Sequence, residues 1–129
     1  MPAKVGAFPD ILQCLWLPDP KNTDNRLVQL TGPFAFIRPG GEVIEVPKGF
    51  VSDGASVPRW AWSLVEDPFG GCLEAAIVHD WLYRNRLKPR AECDLILLEG
   101  MVALGVPLWR RQAIYWAVRV GGGFGAYGS

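Results

Sequence analysis

The spacing of apolar and polar residues changes near Arg59 and divides the chain into two halves. In the first half, short apolar segments are separated by proline and glycine, which is typical of strands and loops. We predict strands over residues 27–30, 34–37 and 42–46, the last from its polar and apolar alternation. Pro39-Gly40-Gly41 supplies the positive φ angles of a hairpin turn before the last strand. A small antiparallel sheet is therefore expected.

The second half contains longer runs with helical spacing. They predict helices over residues 73–85, 90–104 and 107–120. The second helix carries a core-facing stripe formed by Cys93, Ile96, Leu97, Gly100, Met101 and Leu104. The third helix repeats the pattern with Trp109, Ala113, Trp116, Ala117 and Val120. We expect its tryptophans in the core rather than in a cofactor site. The predicted fold class is α+β, a small N-terminal antiparallel β-sheet followed by three to four packed helices.

Length and composition indicate one domain. The 129 residues are 50% hydrophobic, which is enough for a single core. Within that domain we expect strands and a loop that contributes to a site over residues 1–58, and a helical part over residues 59–120. Residues 121–129 are expected to form a flexible tail because they are rich in glycine.

Charge and cysteine content argue against several classes of protein. Thirteen basic and thirteen acidic residues cancel, and the basic residues are scattered, so nucleic acid is a poor candidate partner. Cys14, Cys72 and Cys93 show no C-x-x-C spacing, which favours buried reduced thiols over disulfides or a zinc site. No window approaches the ~20 uninterrupted apolar residues of a transmembrane segment, and no signal peptide is recognised. Synthesis in a cytoplasm is expected.

The only histidine of the chain, His79, is followed at once by a carboxylate. On a helix His79 and Tyr83 share one face, whereas Asp80 is rotated by about 100°. If the next helix packs antiparallel, Asp94 can approach His79 and Tyr83. A carboxylate that accepts from one imidazole nitrogen fixes the tautomer and leaves the other nitrogen to take a proton from water. Asp80 would then hold a divalent cation. The alternative is a hydrogen-bonded core histidine.

A second candidate region is the loop of residues 49–58, whose small polar residues suit an anion, a cation or no ligand. Asp53 in this loop is a possible metal ligand beside Asp80. Ser52 and Ser56 would permit a serine mechanism, but the loop has no G-x-S-x-G elbow, so that mechanism is disfavoured. On the last helix, a solvated face is favoured over a phosphate grip for Arg111, Tyr115 and Arg119.

The segment His79-Asp80-Trp81-Leu82-Tyr83, followed by Asp94 on the next helix, resembles the catalytic helices of the phospholipase A2 superfamily. That superfamily includes the secreted calcium-dependent enzymes and the lipase domain of parvovirus capsid proteins. The resemblance implies that His79 is the base that activates water and that Asp80 is a calcium ligand. It also implies that Asp94 and Tyr83 are the supporting hydrogen-bond partners of His79. The glycine-rich calcium loop and the disulfides of the secreted enzymes have no clear counterpart.

A broader resemblance involves residues 48–59, Ala75-Ala76, the His79 to Tyr83 segment and residues 90–94. Together they resemble a family of small proteins common in tailed bacteriophages and prophages, domain of unknown function 1353. The resemblance implies a phage or prophage source, synthesis in the host cytoplasm and no established activity.

Two functional hypotheses follow. In the first, the chain is a metal-assisted hydrolase that acts on lipid ester or other cell-envelope material, with His79 as the general base. In the second, it is a non-enzymatic virion component, of the tail or associated with it, whose partners are other phage proteins. The cluster of His79, Asp80 and Asp94 is then a structural polar network. Three ionisable groups on two adjacent helices favour the first hypothesis, because burying them for packing alone is costly.

Overall fold

The computed structural model describes residues 5–18, 26–52 and 72–121. These residues form two antiparallel sheets followed by three helices, so the predicted α+β class is confirmed. The strands are β1 (Cys14–Pro18), β2 (Arg26–Leu30), β3 (Phe34–Ile37), β4 (Val43–Val46) and β5 (Val51–Ser52). The helices are α1 (Leu73–Arg84), α2 (Arg90–Ala103) and α3 (Leu108–Gly121).

The strands pair in two separate groups rather than in one sheet. One sheet has the order β1-β2-β5, and the other is the β3–β4 hairpin. Gly40 and Gly41 close the hairpin with φ angles of 97° and 109°, as the turn sequence predicts. Two strands were not predicted. β1 has no polar and apolar alternation, and β5 contributes only two residues, Val51 and Ser52, from a segment interpreted as loop.

The buried face of the hairpin packs on α1 in one hydrophobic cluster. Arg38, the residue after β3, links the same hairpin to α2. Its guanidinium donates to both carboxylate oxygens of Glu99, at 2.8 and 3.0 Å, and to Glu92 at 2.9 Å. The paired, fork-shaped contact with Glu99 fixes orientation as well as distance. The hairpin is therefore held to the helices by apolar packing and by a charged clamp.

Helices α1 and α2 pack antiparallel, which is the arrangement on which the predicted contact between His79 and Asp94 depends. Residues near the start of α1 meet the end of α2, because a Cβ atom built on Gly100 would lie 2.8 Å from the Cβ atom of Ala75. Residues later in α1 meet the start of α2, where His79 contacts Asp94. The absence of a side chain at Gly100 lets the two helices approach closely. This close packing brings the polar residues of both helices together inside the core.

The core face predicted for α3 is confirmed at Ala117 and wrong at Trp109, Trp116 and Val120. Trp109 and Trp116 are 62% and 59% exposed, and Val120 is 64% exposed. Ala117 is buried as predicted, together with Ile114 and Val118, and these three residues pack in a cluster with α2. Both sets obey helical spacing, but a shift of one position turns the face by about 100°. The contacts with α2 select the face with smaller side chains.

The predictions on the cysteines and on membrane-spanning segments can be compared with the described residues, whereas those on the loop and the tail cannot. Cys72 and Cys93 are buried and Cys14 is partly buried, and all three thiols are free. Within the described ranges, no helix has the length and apolar character needed to cross a membrane. Asp53 and the rest of the loop to residue 58 lie outside the described residues, as do residues 122–129 of the predicted tail.

Candidate functional site

The contact that the helix spacing predicts between His79 and Asp94 is present. Nε2 of His79 lies 2.8 Å from Oδ1 of Asp94, and both side chains are 0% exposed. His79 is on the face of α1 that meets α2, and Asp94 is in the second turn of α2. If the carboxylate is ionised, the imidazole must donate from Nε2, because an ionised carboxylate can only accept. The second imidazole nitrogen, Nδ1, then carries the basic lone pair.

Two arginines compensate the buried charge of Asp94. Nη1 of Arg119 lies 3.0 Å from Oδ2, and Nη1 of Arg90 lies 3.8 Å from the same oxygen. Arg90 also donates to the backbone carbonyl oxygen of Arg119 at 3.1 Å, which fastens the end of α3 to the start of α2. Donors on one carboxylate oxygen hold a buried carboxylate in a fixed orientation. Arg119 was predicted to lie on a solvated face, and its side chain is 28% exposed while it binds Asp94, so the prediction is met only in part.

Tyr83 lies beside His79, one turn further along α1. The two ring centroids are 5.0 Å apart with an interplanar angle of 40°. Burial raises the pKa of Tyr83, and a hydrogen bond with Arg90 opposes that rise only in part. The phenol therefore keeps its proton at neutral pH and can act as a hydrogen-bond donor. The expected proximity is confirmed, and the supporting role of Tyr83 stays a prediction.

Asp80 faces a different neighbour, as its position on the helix predicts. Its Oδ2 accepts a hydrogen bond from Oγ of Ser52 at 2.7 Å, and both side chains are buried. Nη1 of Arg84 lies 3.9 Å from the same oxygen and donates to the carbonyl oxygen of Val51 at 3.1 Å. Asp80 thus joins α1 to β5. A serine nucleophile would donate to an imidazole, so the Ser52 contact gives no support to a serine mechanism.

The proposed metal ligands are described only in part. Asp53 lies outside the described residues, so its distance from Asp80 stays a prediction. Within the described ranges, no group of three or more His, Cys, Asp and Glu side chains is placed to hold a metal ion. Asp80 and Ser52 offer carboxylate and hydroxyl oxygens, which are ligands of the hard type that calcium takes. Asp53 follows Ser52 directly in the sequence.

Sequence reasoning missed the groups that hold the two aspartates. Ser52 is 28 residues from Asp80, and Arg119 is 25 residues from Asp94. No local spacing signals either contact. The sequence offered only a general indication of these partners. A buried carboxylate needs a hydrogen-bond donor or a cation, so Asp80 and Asp94 each had to have one.

Comparison with known proteins gives a family and two relatives. Residues 28–118 match the family described as "Protein of unknown function (DUF1353)". The chain is similar to two proteins of Sinorhizobium fredii (strain NBRC 101917 / NGR234). Uncharacterized protein y4jT is 38% identical over 93 residues, which cover 71% of this chain and 28% of y4jT. Uncharacterized protein y4iH is 26% identical over 90 residues, which cover 69% of this chain and 38% of y4iH.

The matched region spans well under half the length of both relatives. No solved structure matches the chain with statistical significance. The family match includes His79, Asp80, Tyr83 and Asp94, together with Ser52. The region shared with other members therefore contains the described part of the candidate site except Arg119.

Proposed function

This chain belongs to the DUF1353 family, and we propose that it is a hydrolase in which His79 is the general base that activates water. The observation that supports this most strongly is the 2.8 Å contact between Nε2 of His79 and Oδ1 of Asp94. A carboxylate on Nε2 orients the ring and stabilises the imidazolium that forms when Nδ1 takes a proton. General base catalysis of this kind contributes about 10²- to 10⁴-fold to a rate.

In this proposal Asp94 is a positioning residue, because it acts through His79. Arg119 at 3.0 Å and Arg90 at 3.8 Å bind the other carboxylate oxygen and keep Oδ1 directed at the imidazole. Tyr83 limits rotation of the imidazole through the contact of the two rings. The pair is then set for proton transfer before substrate arrives, which lowers the cost of reorganisation during the reaction.

The proposal includes a divalent cation, with calcium as the first candidate, held by Asp80 and Asp53. A bound cation would polarise the carbonyl oxygen of an ester. The proposed substrate is a lipid ester or related cell-envelope material, in a phage or prophage context. The similarity of the His79 to Tyr83 segment to phospholipase A2 enzymes motivates this choice of substrate.

The test is release of fatty acid from phosphatidylglycerol vesicles, with added calcium and with a chelator. His79→Gln is the decisive variant, because a glutamine amide can still donate to Asp94 but is not a base. We expect the variant to lose about 10²- to 10⁴-fold in rate while its melting temperature stays near that of the parent. Glu74→Gln, in the first turn of α1, is the matched control and should be fully active. An inactive parent protein, or an active His79→Gln variant, contradicts the proposal.

A second candidate function is supported by a different observation. His79, Asp80 and Asp94 are each 0% exposed, as expected of polar groups that lock helices together. In this candidate the chain is a virion component, of the tail or associated with it, and contacts other phage proteins. Mass spectrometry of purified particles from a phage that encodes the chain tests it. Stoichiometric presence in the particle supports this candidate, and absence contradicts it.

A further inference from the structure

The outer edge of β4 presents backbone groups that β3 does not use. Across the hairpin, the Arg38 N–H donates to the carbonyl oxygen of Glu42 at 2.7 Å. Backbone groups of an antiparallel strand alternate in direction, so the N–H and C=O groups of Val43 and Glu45 point away from β3. Among the described strands, β4 pairs with β3 alone. Within the described residues, the outer edge of β4 is therefore unpaired, and an edge of this kind can accept another strand.

Two cavities border this edge and share Glu45 and Trp81. One, of about 530 Å³, lies at the open end of the hairpin and is also lined by Asp10 and Phe34. The other, of about 280 Å³, lies between β4 and the end of α1 and is also lined by Leu87. We call the two together the β4 groove, defined by these five residues. It runs beside β4, and its lining also includes Glu42 and Lys88 in the second cavity.

The described lining of the β4 groove carries three carboxylates, those of Asp10, Glu42 and Glu45, and one cation, Lys88. Asp10 and Glu45 are exposed, and neither makes an ion pair with another described residue. Glu42 nearby differs, because it pairs with Lys88 at 2.7 Å. The two exposed carboxylates of Asp10 and Glu45 attract a cation and disfavour nucleic acid or an acidic lipid surface.

Trp81 adds a second preference for a cation. Its indole packs against Phe50 in an edge-on arrangement, with ring centroids 5.2 Å apart and an interplanar angle of 79°. That contact holds the indole in place while part of it remains at the surface. Ammonium and guanidinium groups are attracted to the face of an indole ring. Carboxylates and an indole thus recognise the same kind of side chain.

We propose that the β4 groove binds an extended segment of a partner protein that carries a lysine or arginine. The segment adds to the outer edge of β4 as a strand, through the backbone groups of Val43 and Glu45. Its basic side chain lies in the larger cavity, beside Glu45, Asp10 and the indole of Trp81. A small amine would use the carboxylates and the indole but not the backbone edge, so the edge favours a peptide.

The test is an NMR titration of the full chain, labelled with ¹⁵N, with a blocked peptide of sequence Thr-Val-Lys-Val-Thr. We expect shifts at the amides of Val43 and Glu45 and at the indole N–H of Trp81. Glu45→Gln and Asp10→Asn should each weaken binding about 2- to 5-fold, the range of exposed ion pairs. Glu74→Gln, outside the groove, should bind like the parent.

Two altered peptides test whether the β4 groove binds a basic peptide as an added strand. The peptide with Glu in place of Lys should bind more weakly, and a peptide N-methylated along one edge should lose binding because it cannot pair with β4. Equal binding of either probe overturns the proposal. So does binding of blocked lysine alone with the affinity of the peptide, which would indicate a small-amine site. A titration without shifts at β4 or Trp81 also overturns it.

Discussion

Oγ of Ser52 donates a hydrogen bond to Oδ2 of Asp80 over 2.7 Å, at a point where both side chains are buried. The contact joins the end of β5 to α1, one residue away from His79. The chain therefore leaves β5 directly at the candidate site, and Asp53 is the next residue. In the proposed hydrolase, this contact places the start of the loop that is expected to complete the site.

The Ser52 contact should contribute measurably to stability. Ser52→Ala removes a donor from a buried carboxylate, which typically costs about 1–3 kcal/mol of unfolding free energy. Chemical denaturation measures the loss of unfolding free energy. Asp80→Asn, made in the parent and in Ser52→Ala, gives the coupling energy between the two residues. We expect a smaller effect of Ser52→Ala when residue 80 is neutral. Additive effects of the two substitutions would show that the hydrogen bond does not stabilise the fold.

The face of α3 that enters the core can be tested by a pair of substitutions. Ile114→Ala removes a side chain that is 0% exposed, and we expect a loss of about 2–5 kcal/mol. Trp116→Ala truncates a side chain that is 59% exposed, and we expect a change within about 0.5 kcal/mol. Thermal or chemical unfolding of both variants provides the comparison. A larger loss for Trp116→Ala would contradict the observed orientation of α3.

The close approach of α1 and α2 predicts that Gly100→Ala destabilises the protein, although alanine favours a helix. Alanine favours a helix over glycine by up to about 1 kcal/mol. A Cβ atom at this position would nevertheless lie 2.8 Å from Cβ of Ala75 and 3.2 Å from Cζ of Phe8. Overpacking costs about 1–3 kcal/mol, so we expect Gly100→Ala to lower the free energy of unfolding. Ala75→Gly should reduce that penalty in the double variant, and a stabilised Gly100→Ala protein would contradict the packing.

The three thiols should differ in reactivity and in their effect on stability at high pH. Burial raises the pKa of Cys72 to about 12 and that of Cys93 to about 11. Near pH 8 a thiol reagent should modify Cys14 in the folded protein and the other two only after unfolding. Because the folded pKa values are raised, their stabilising contribution is full below the ordinary thiol pKa and is lost as pH rises through the raised values. Stability should therefore fall more between pH 8 and 10 in the parent than in Cys72→Ala.

The contacts that the sequence predicts are those set by short-range geometry. His79 and Asp94 were expected to meet because each sits on a helix with a clear apolar pattern and the connection between the helices is short. The contacts of Ser52 with Asp80 and of Arg119 with Asp94 were not expected, because they depend on how β5 and α3 pack. Tertiary packing of that kind leaves no periodic signal in the sequence.

The errors in the fold have a similar origin. On α3, the stripe through Trp116 and the stripe through Ile114 both satisfy helical spacing, and hydrophobicity alone favours the larger side chains. The contact surface of α2 decides between them. Strand β5 has two residues and is too short to show alternation of polar and apolar side chains. It is a strand because it pairs with β2, where Ser52 lies opposite Val28.

The proposed role of His79 requires that Nε2 carries the proton and that Nδ1 is the base. The chain has one histidine, so a long-range ¹H–¹⁵N spectrum of the imidazole reports on this residue without ambiguity. We predict a neutral ring protonated at Nε2, with Nδ1 unprotonated, and a loss of this preference in Asp94→Asn. A ring protonated at Nδ1, with Nε2 accepting a proton from Asp94, would contradict the account.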